Sequence, residues 1–370
     1  MYFVSTRQVF QRGDATWDGY IEWIRLPHLS EIRTLDAKLN EYVDRCGDVY
    51  CDRADIKAAL ETLPAPRGPQ EHYLLAAKVD SDEWAETFDG FDFLGCGEHL
   101  FFHGPTPNAF AMLAAAAGAT KQIRLVSSIT LLPLYPAAMV AKLAATIDVI
   151  SQGRFELGIG SGGEYPPEFV AAGVEPATRF RRTDEGLQVI RQLLRGETVT
   201  FAGEFTTVPG LALNPPPCQR GGPPFWLGGR KPAALRRAGR HADVWMPYMV
   251  DPAQLDRGLR KVRDAAAENG RDPADVSAAL FAWACVDEDA NWARESGIST
   301  VSAAYNQDFT ALADRYLLVG QPESVSARMD EFAHAGAELV LFQIAAHKRA
   351  DRDRVIHTIA RHFLARPEPK

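Results

Sequence analysis

From Phe91 onward the chain alternates short apolar runs with alanine-rich amphipathic segments, the pattern of repeated βα units around a parallel sheet. Phe93 to Cys96, Ile123 to Leu132 and Phe155 to Gly160 read as strands, and Phe225 to Gly228, Val244 to Pro247, Ala278 to Val286 and Leu339 to Ile344 continue the series to seven. Asn108 to Ala119, Ala137 to Ser151 and Arg181 to Leu194 read as helices, with a hairpin-like insertion from Thr198 to Val208. Pro215-Pro216-Pro217 cannot sit in a central strand and is expected to be an exposed connector. A closed barrel of this kind needs an eighth strand. Tyr73 to Val79 and Tyr2 to Ser5 are the two upstream runs that could supply it.

The texture before this series is different. Trp17 to Leu63 looks mostly helical, and Pro64 to Pro69 reads as a linker or long loop. The expected division is a small N-terminal module over residues 1–70 and a barrel domain over residues 71–370. Composition narrows the class but not the function. A 370-residue chain with 46% hydrophobic and 24% charged residues is of ordinary globular type, and its net charge of −8 argues against a general nucleic-acid binder. The N-terminus has no export signal and Lys142 and Asp148 interrupt the most apolar helix, so a cytoplasmic protein without a membrane partner is expected. Cys46, Cys51, Cys96, Cys218 and Cys285 form no disulfide framework, and Cys46-x4-Cys51, the one metal-like spacing, reads as incidental without further Cys or His nearby.

Chemistry in a (β/α)8 barrel is built at the C-terminal ends of the strands. His99, in Gly97-Glu98-His99-Leu100, stands at such an end and reads either as a proton-handling cofactor contact or as a packed core histidine. Ser127-Ser128-Ile129 ends the next strand, where small hydroxyl residues let a flat ring approach the backbone. Gly158 to Glu164 is dense in glycine, which permits tight turns and close backbone approach, but its spacing does not match the dinucleotide fingerprint. Gly228-Gly229-Arg230-Lys231-Pro232 joins a strand to a helix N-terminus, where backbone N–H groups and the helix dipole favour an anion. Arg230 and Lys231 make a phosphate the natural guest, with a solvated basic helix start as the alternative.

These pieces, in order, resemble the bacterial luciferase-like monooxygenases. The resemblance is carried by Gly97-Glu98-His99-Leu100, Ser127-Ser128-Ile129 and Ala144-Ala145-Thr146-Ile147-Asp148 leading to Ser151-Gln152-Gly153-Arg154-Phe155. Leu157 to Gly160, Arg179 to Leu187, Gly228-Gly229-Arg230, Ala238 to Asp243, Val319 to Val325 and Ala335-Gly336-Ala337 extend it over residues 92–365. It implies a luciferase-like (β/α)8 TIM barrel and a non-proline cis peptide at Ser128-Ile129. It further implies a cofactor at the C-terminal face, either reduced FMN or the deazaflavin F-420. Carried over by position, His99 is the catalytic residue, Ser128, Ser161 and Gly162 bind the cofactor, and Gly228, Gly229 and Arg230 hold its phosphate. Arg182 to Glu185 reads instead as a structural ion-pair device.

The implied activity is monooxygenation of a small organic substrate by reduced FMN and O2, with a separate flavin or deazaflavin reductase as partner, and a homodimer is compatible with it. A deazaflavin-dependent dehydrogenase or reductase, and a catalytically silent relative, are the alternatives. This chain departs from the family in its N-terminal part. Members begin with the first barrel strand and a full helix, for which Asp80 to Asp89 is too short, and residues 1–70 match nothing in the barrel pattern.

Overall fold

A computed structural model describes residues 91–103 and 106–364. Strand β1 (Phe93–Cys96) leads to helix α1 (Ala109–Ala119), which Asn108 caps by accepting from the Ala111 N–H at 3.0 Å. Strands β2 (Arg124–Ser127) and β3 (Thr130–Leu131) precede helix α2 (Ala137–Ser151). That helix buries Val140, Ala141, Ala144, Ala145 and Asp148 along one face and ends in a left-handed turn at Gln152 and Gly153. Strand β4 (Phe155–Gly160), the short helix α3 (Pro166–Ala171) and helix α4 (Arg179–Leu194) follow, then the antiparallel hairpin β5 (Val199–Ala202) and β6 (Thr207–Leu211).

The second half repeats the alternation: β7 (Phe225–Gly228), α5 (Pro232–His241), β8 (Val244–Met246) and α6 (Pro252–Glu268). After these come β9 (Ser277–Val286), α7 (Ala290–Tyr305), α8 (Ala313–Tyr316), β10 (Leu318–Gly320), α9 (Pro322–His334), β11 (Leu339–Ile344) and α10 (Arg349–Phe363). A reciprocal capping box, Asp251 with Gln254, starts α6, and Pro252 occupies its first position.

The main sheet is parallel throughout, in the order β1-β2-β4-β7-β8-β9, with β11 on β9. These are the seven strands expected from the apolar runs. β3 lies beside β4, and β10 pairs the last three residues of β9. Two differences from expectation have local causes. The single strand read over Ile123 to Leu132 is interrupted at the cis peptide Ser128–Ile129, which splits it into β2 and β3. The three-residue strand β10 is too short to show a period. Both upstream runs that could supply an eighth strand lie outside the described residues, as does the expected 1–70 module.

Alternate strand residues build two cores. Leu125, Phe155, Leu157, Phe225, Leu227 and Trp245 face the helices and join the larger one. Val126, Trp226, Val244, Met246 and Ala279 face each other, with Phe93, Ile129 and Leu341 packed on them. Phe93 of β1 meets Trp226 of β7 at 5.2 Å between ring centroids although β2 and β4 intervene in the sheet. Only a sheet curved into a barrel wall permits that contact. Glu156 also points into this interior, pairing with Arg124 and accepting from the Trp226 indole N–H, and burial pushes its carboxyl up.

Candidate functional site

The strand ends beyond β1, β2 and β4 form one tightly paired region. Glu98, 6% exposed, accepts from the Ala109 N–H at 3.2 Å, the Leu131 N–H at 3.2 Å, Asn108 Nδ2 at 3.3 Å and the Tyr135 hydroxyl at 3.0 Å. It thus ties the loop after β1 to the start of α1 and to β3. Burial pushes its carboxyl up, and the Ala109, Tyr135 and Leu131 donors together with His99 oppose that shift only in part. Cys96 beside it is an inert thiol, pushed up to about 12 first by burial and then by Glu98.

His99 is held by a group that the sequence reading did not pick out. Its Nδ1 lies 3.1 and 3.2 Å from the two carboxylate oxygens of Glu168, which is fully buried in α3 and also accepts from the Leu100 N–H at 3.1 Å. A carboxylate accepts, so Nδ1 is the donor in this contact and Nε2 is left on the far side of the ring from Glu168. The ring stacks on Phe102 at 4.1 Å, and Phe102 meets Tyr165 and Tyr305 edge-on. Tyr305 in turn approaches Trp283 and Phe309. Burial pushes the Tyr305 phenol up to about 12, so it stays protonated near neutral pH.

The glycines read as places for close ligand approach are required by the protein itself. A methyl group at position 158 would lie 1.8 Å from the Ser127 carbonyl oxygen, and one at position 160 would lie 2.0 Å from Ile129 Cδ1. Position 228, across on β7, would bring it to 3.0 Å from the same Ile129 atom. The Ser127 hydroxyl both donates to the Gly158 carbonyl and accepts from the Gly158 N–H, each at 2.9 Å, closing the space between β2 and β4. Ser128, the first residue of the cis peptide, is half-buried over Gly95 and Gly97. Ser161 Oγ lies 2.9 Å from Thr183 Oγ1. Gly162 and Gly163 turn with φ of 59° and 118° beside Phe169 and Arg179. The Arg179 Nε is buried there without a partner among the described residues.

Beyond β7 and β8 the charges are placed differently. Gly229 has φ 105°, and its carbonyl accepts from the Trp245 indole N–H at 2.9 Å. Arg230 donates to the Met249 carbonyl and lies 5.3 Å from the Tyr248 ring centroid, and Tyr248 bonds Glu164 of the β4 loop. Arg230 and Lys231 border a cavity of about 470 Å³ shared with Trp245, Arg257, Lys261 and Phe309. The Arg182 to Glu185 segment is structural, as expected. Asp184 pairs with Arg237 at 2.6 Å, and Glu185 accepts from the Glu204 and Phe205 N–H groups of the hairpin.

The structure therefore brings His99 together with the Ser161 to Glu168 segment and brings Ser128 against β1, while Gly228, Gly229 and Arg230 lie at the β7–β8 side. The sequence reading missed Glu168 as the partner of His99, and Tyr248 and Tyr305 as parts of the mouth. Only the run Tyr165-Pro166-Pro167-Glu168, a proline-started turn of helix directly after a glycine loop, hinted that an acid is aimed back at the strand ends.

A curved parallel barrel with a histidine, a cis peptide and a glycine-arginine turn on its C-terminal strand ends defines a flavin-type barrel class. The model of the luciferase-like monooxygenase family matches residues 83–339, and the chain belongs to that family. It is 32% identical over 240 residues to 4-hydroxyprotoasukamycin monooxygenase of Streptomyces nodosus subsp. asukaensis, 62% of this chain and 64% of that one. The match thus spans less than two thirds of that relative's length. Monooxygenase RslO1 from Streptomyces bottropensis superposes with a TM-score of 0.69 at 26% identity, over 80% of this chain and 94% of that one. The F420-dependent tetrahydromethanopterin reductase of Methanopyrus kandleri shares the fold with a TM-score of 0.65 at 21% identity, over 80% and 95%.

Proposed function

We propose that this chain is a flavin-dependent monooxygenase that uses reduced FMN and O2 on a small organic substrate, with the reduced cofactor delivered by a separate reductase. The observation that carries the reading is His99, whose Nδ1 is committed to a buried carboxylate while Nε2 stays unpaired among the described residues, within an aromatic-walled mouth. The family and two monooxygenase relatives support this reading. The residues fit a flavin-type cofactor. The orphaned Arg179 Nε beside the Gly162–Gly163 turn offers a donor to an acceptor atom, and among the described residues Arg230 has no carboxylate partner for its charge.

When bound, a reduced flavin supplies the electrons for oxygen chemistry. The protein's contribution is position, polarity and exclusion of water. In this reading Ser128, Ser161 and Gly162 would hold the ring region, and Gly228, Gly229 and Arg230 the phosphate. Phe102, Tyr165 and Tyr305 shield the mouth, and His99 accepts or returns a proton at Nε2. The second reading, hydride transfer with a deazaflavin, is favoured by the basic cavity beside Arg230 and by the F420-dependent neighbour.

Anaerobic titration with reduced FMN and with the reduced deazaflavin, followed by air, separates these. Binding of FMN with reoxidation slower than in free solution is the expected result. Binding of the deazaflavin alone selects the second reading, and binding of neither ends both.

A further inference from the structure

Among the described residues, the cavity of about 470 Å³ beside Arg230 is lined by four cationic side chains, Arg230, Lys231, Arg257 and Lys261, and by no carboxylate. They come from two places in the fold, the turn into α5 and one face of α6, so the cluster is not a local run of basic sequence. The chain as a whole is acidic, with 48 Asp and Glu against 40 Lys and Arg. Most arginines elsewhere are spent on partners: Arg237 on Asp184, Arg260 on Asp256, Arg294 on Asp314, Arg354 on Asp287. Asp251, the acid near Arg257, is taken by Arg315 at 2.7 Å. Arg257, Lys231 and Lys261 have no ion pair among the described residues. Four like charges around one hollow repel each other, and a fold gains nothing from that arrangement unless an anion offsets it.

The remainder of the lining suits an extended guest. Trp245 and Phe309 give apolar walls, and Gln254 and Gln307 give neutral hydrogen-bonding groups. Two of its lining residues also touch the aromatic cluster of the barrel mouth. Phe309 lies 5.6 Å from Tyr305 of the aromatic cluster, and Arg230 lies 5.3 Å from Tyr248. A single phosphate would engage Arg230 and leave the α6 cations unused.

We propose that this cavity binds an oligoanion, a chain carrying two or more phosphate or carboxylate charges, with Arg257 and Lys261 reading the charges beyond the one at Arg230. Two sources share this chemistry: the anionic tail of a deazaflavin whose ring occupies the mouth, and a free oligophosphate. Only the first source rests on the proposed flavin-type cofactor; anion binding itself does not.

The test is calorimetric titration of the full chain with inorganic tripolyphosphate and with inorganic phosphate, at low and physiological salt, without any flavin. Tripolyphosphate should bind at least about tenfold more tightly, and the preference should shrink with salt. The double variant Arg257→Gln, Lys261→Gln removes two exposed charges without touching the core, and should lose about tenfold in tripolyphosphate affinity. Equal affinity for the two anions, or an unchanged double variant, overturns the proposal. For the source, the same variant is titrated with FMN and with the deazaflavin. A loss confined to the deazaflavin, together with competition by tripolyphosphate, assigns the cavity to the cofactor tail. Simultaneous binding of cofactor and tripolyphosphate assigns it to a free oligoanion.

Discussion

The two sides of the barrel mouth handle polar groups in opposite ways. On the β1–β4 side every buried acid has its donors: Glu98 has four, and Glu168 has the His99 ring and the Leu100 N–H. On the β7–β8 side Arg230, Lys231, Arg257 and Lys261 stand around a hollow with no carboxylate in its lining among the described residues. A buried polar group left unpaired costs about 1–3 kcal/mol, and the buried acids of the first side are satisfied by the protein itself. Exposed cations cost little while water solvates them, so the second side can keep its charge free for a ligand. The contrast separates a scaffold that orients one histidine from a surface that waits for an anion.

The largest effect that could break this contrast is at Gly158. Gly158→Ala places a methyl group 1.8 Å from the Ser127 carbonyl oxygen. Overpacking costs about 1–3 kcal/mol, and a clash with backbone belongs at or beyond the top of that range. The variant should express poorly or melt far below the parent, and a native thermal midpoint would show that the β2–β4 side is not rigid. Next is His99→Asn, expected to lower turnover about a hundredfold. The amide still offers a donor to Glu168, so the thermal midpoint should fall by no more than about 4 °C. Early unfolding with normal activity per folded molecule would make His99 a core residue only.

Arg230→Ala tests the other side. It should weaken FMN binding about tenfold and change riboflavin binding by less than about twofold, because only FMN carries the phosphate. Equal weakening of both would remove Arg230 from the phosphate.

The smallest effect is in pH dependence. His241, at the end of α5, is pushed down to about 4, first by burial and then by Arg240, while Asp184 opposes the shift and Arg191 and Arg237 add to it. An unfolded histidine titrates near about 6.5, so between these values the unfolded chain binds more protons and stability falls as pH falls. His241→Gln should flatten part of the decline in thermal midpoint between pH 6.5 and about 4. Parallel curves for variant and parent would exclude this contribution.

How much could be read without coordinates varies with the range of the interaction. The strands Phe93–Cys96, Phe155–Gly160 and Phe225–Gly228 were legible because each is an apolar run bounded by polar or glycine positions. Helix α2 was legible over its full length for the same local reason. The glycines of β4 were singled out correctly as sites of close approach, but the approaching group is Ser127 and Ile129 of the neighbouring strand, not a ligand. Sequence marks where a side chain must be absent and is silent on what fills the space.

Sequence by itself determined the βα alternation, the order of the seven strands, the family and the position of His99 at a strand end. All of these are periodic or local and need no knowledge of distant contacts. Tertiary structure alone decided that Glu168, 69 residues further on, holds the His99 ring through Nδ1, and that α6 brings Arg257 and Lys261 to the turn holding Arg230. Both depend on which helix packs behind which strand. That is set by burial of the apolar faces of α3 and α6, and no spacing within either segment encodes the charged group it will meet.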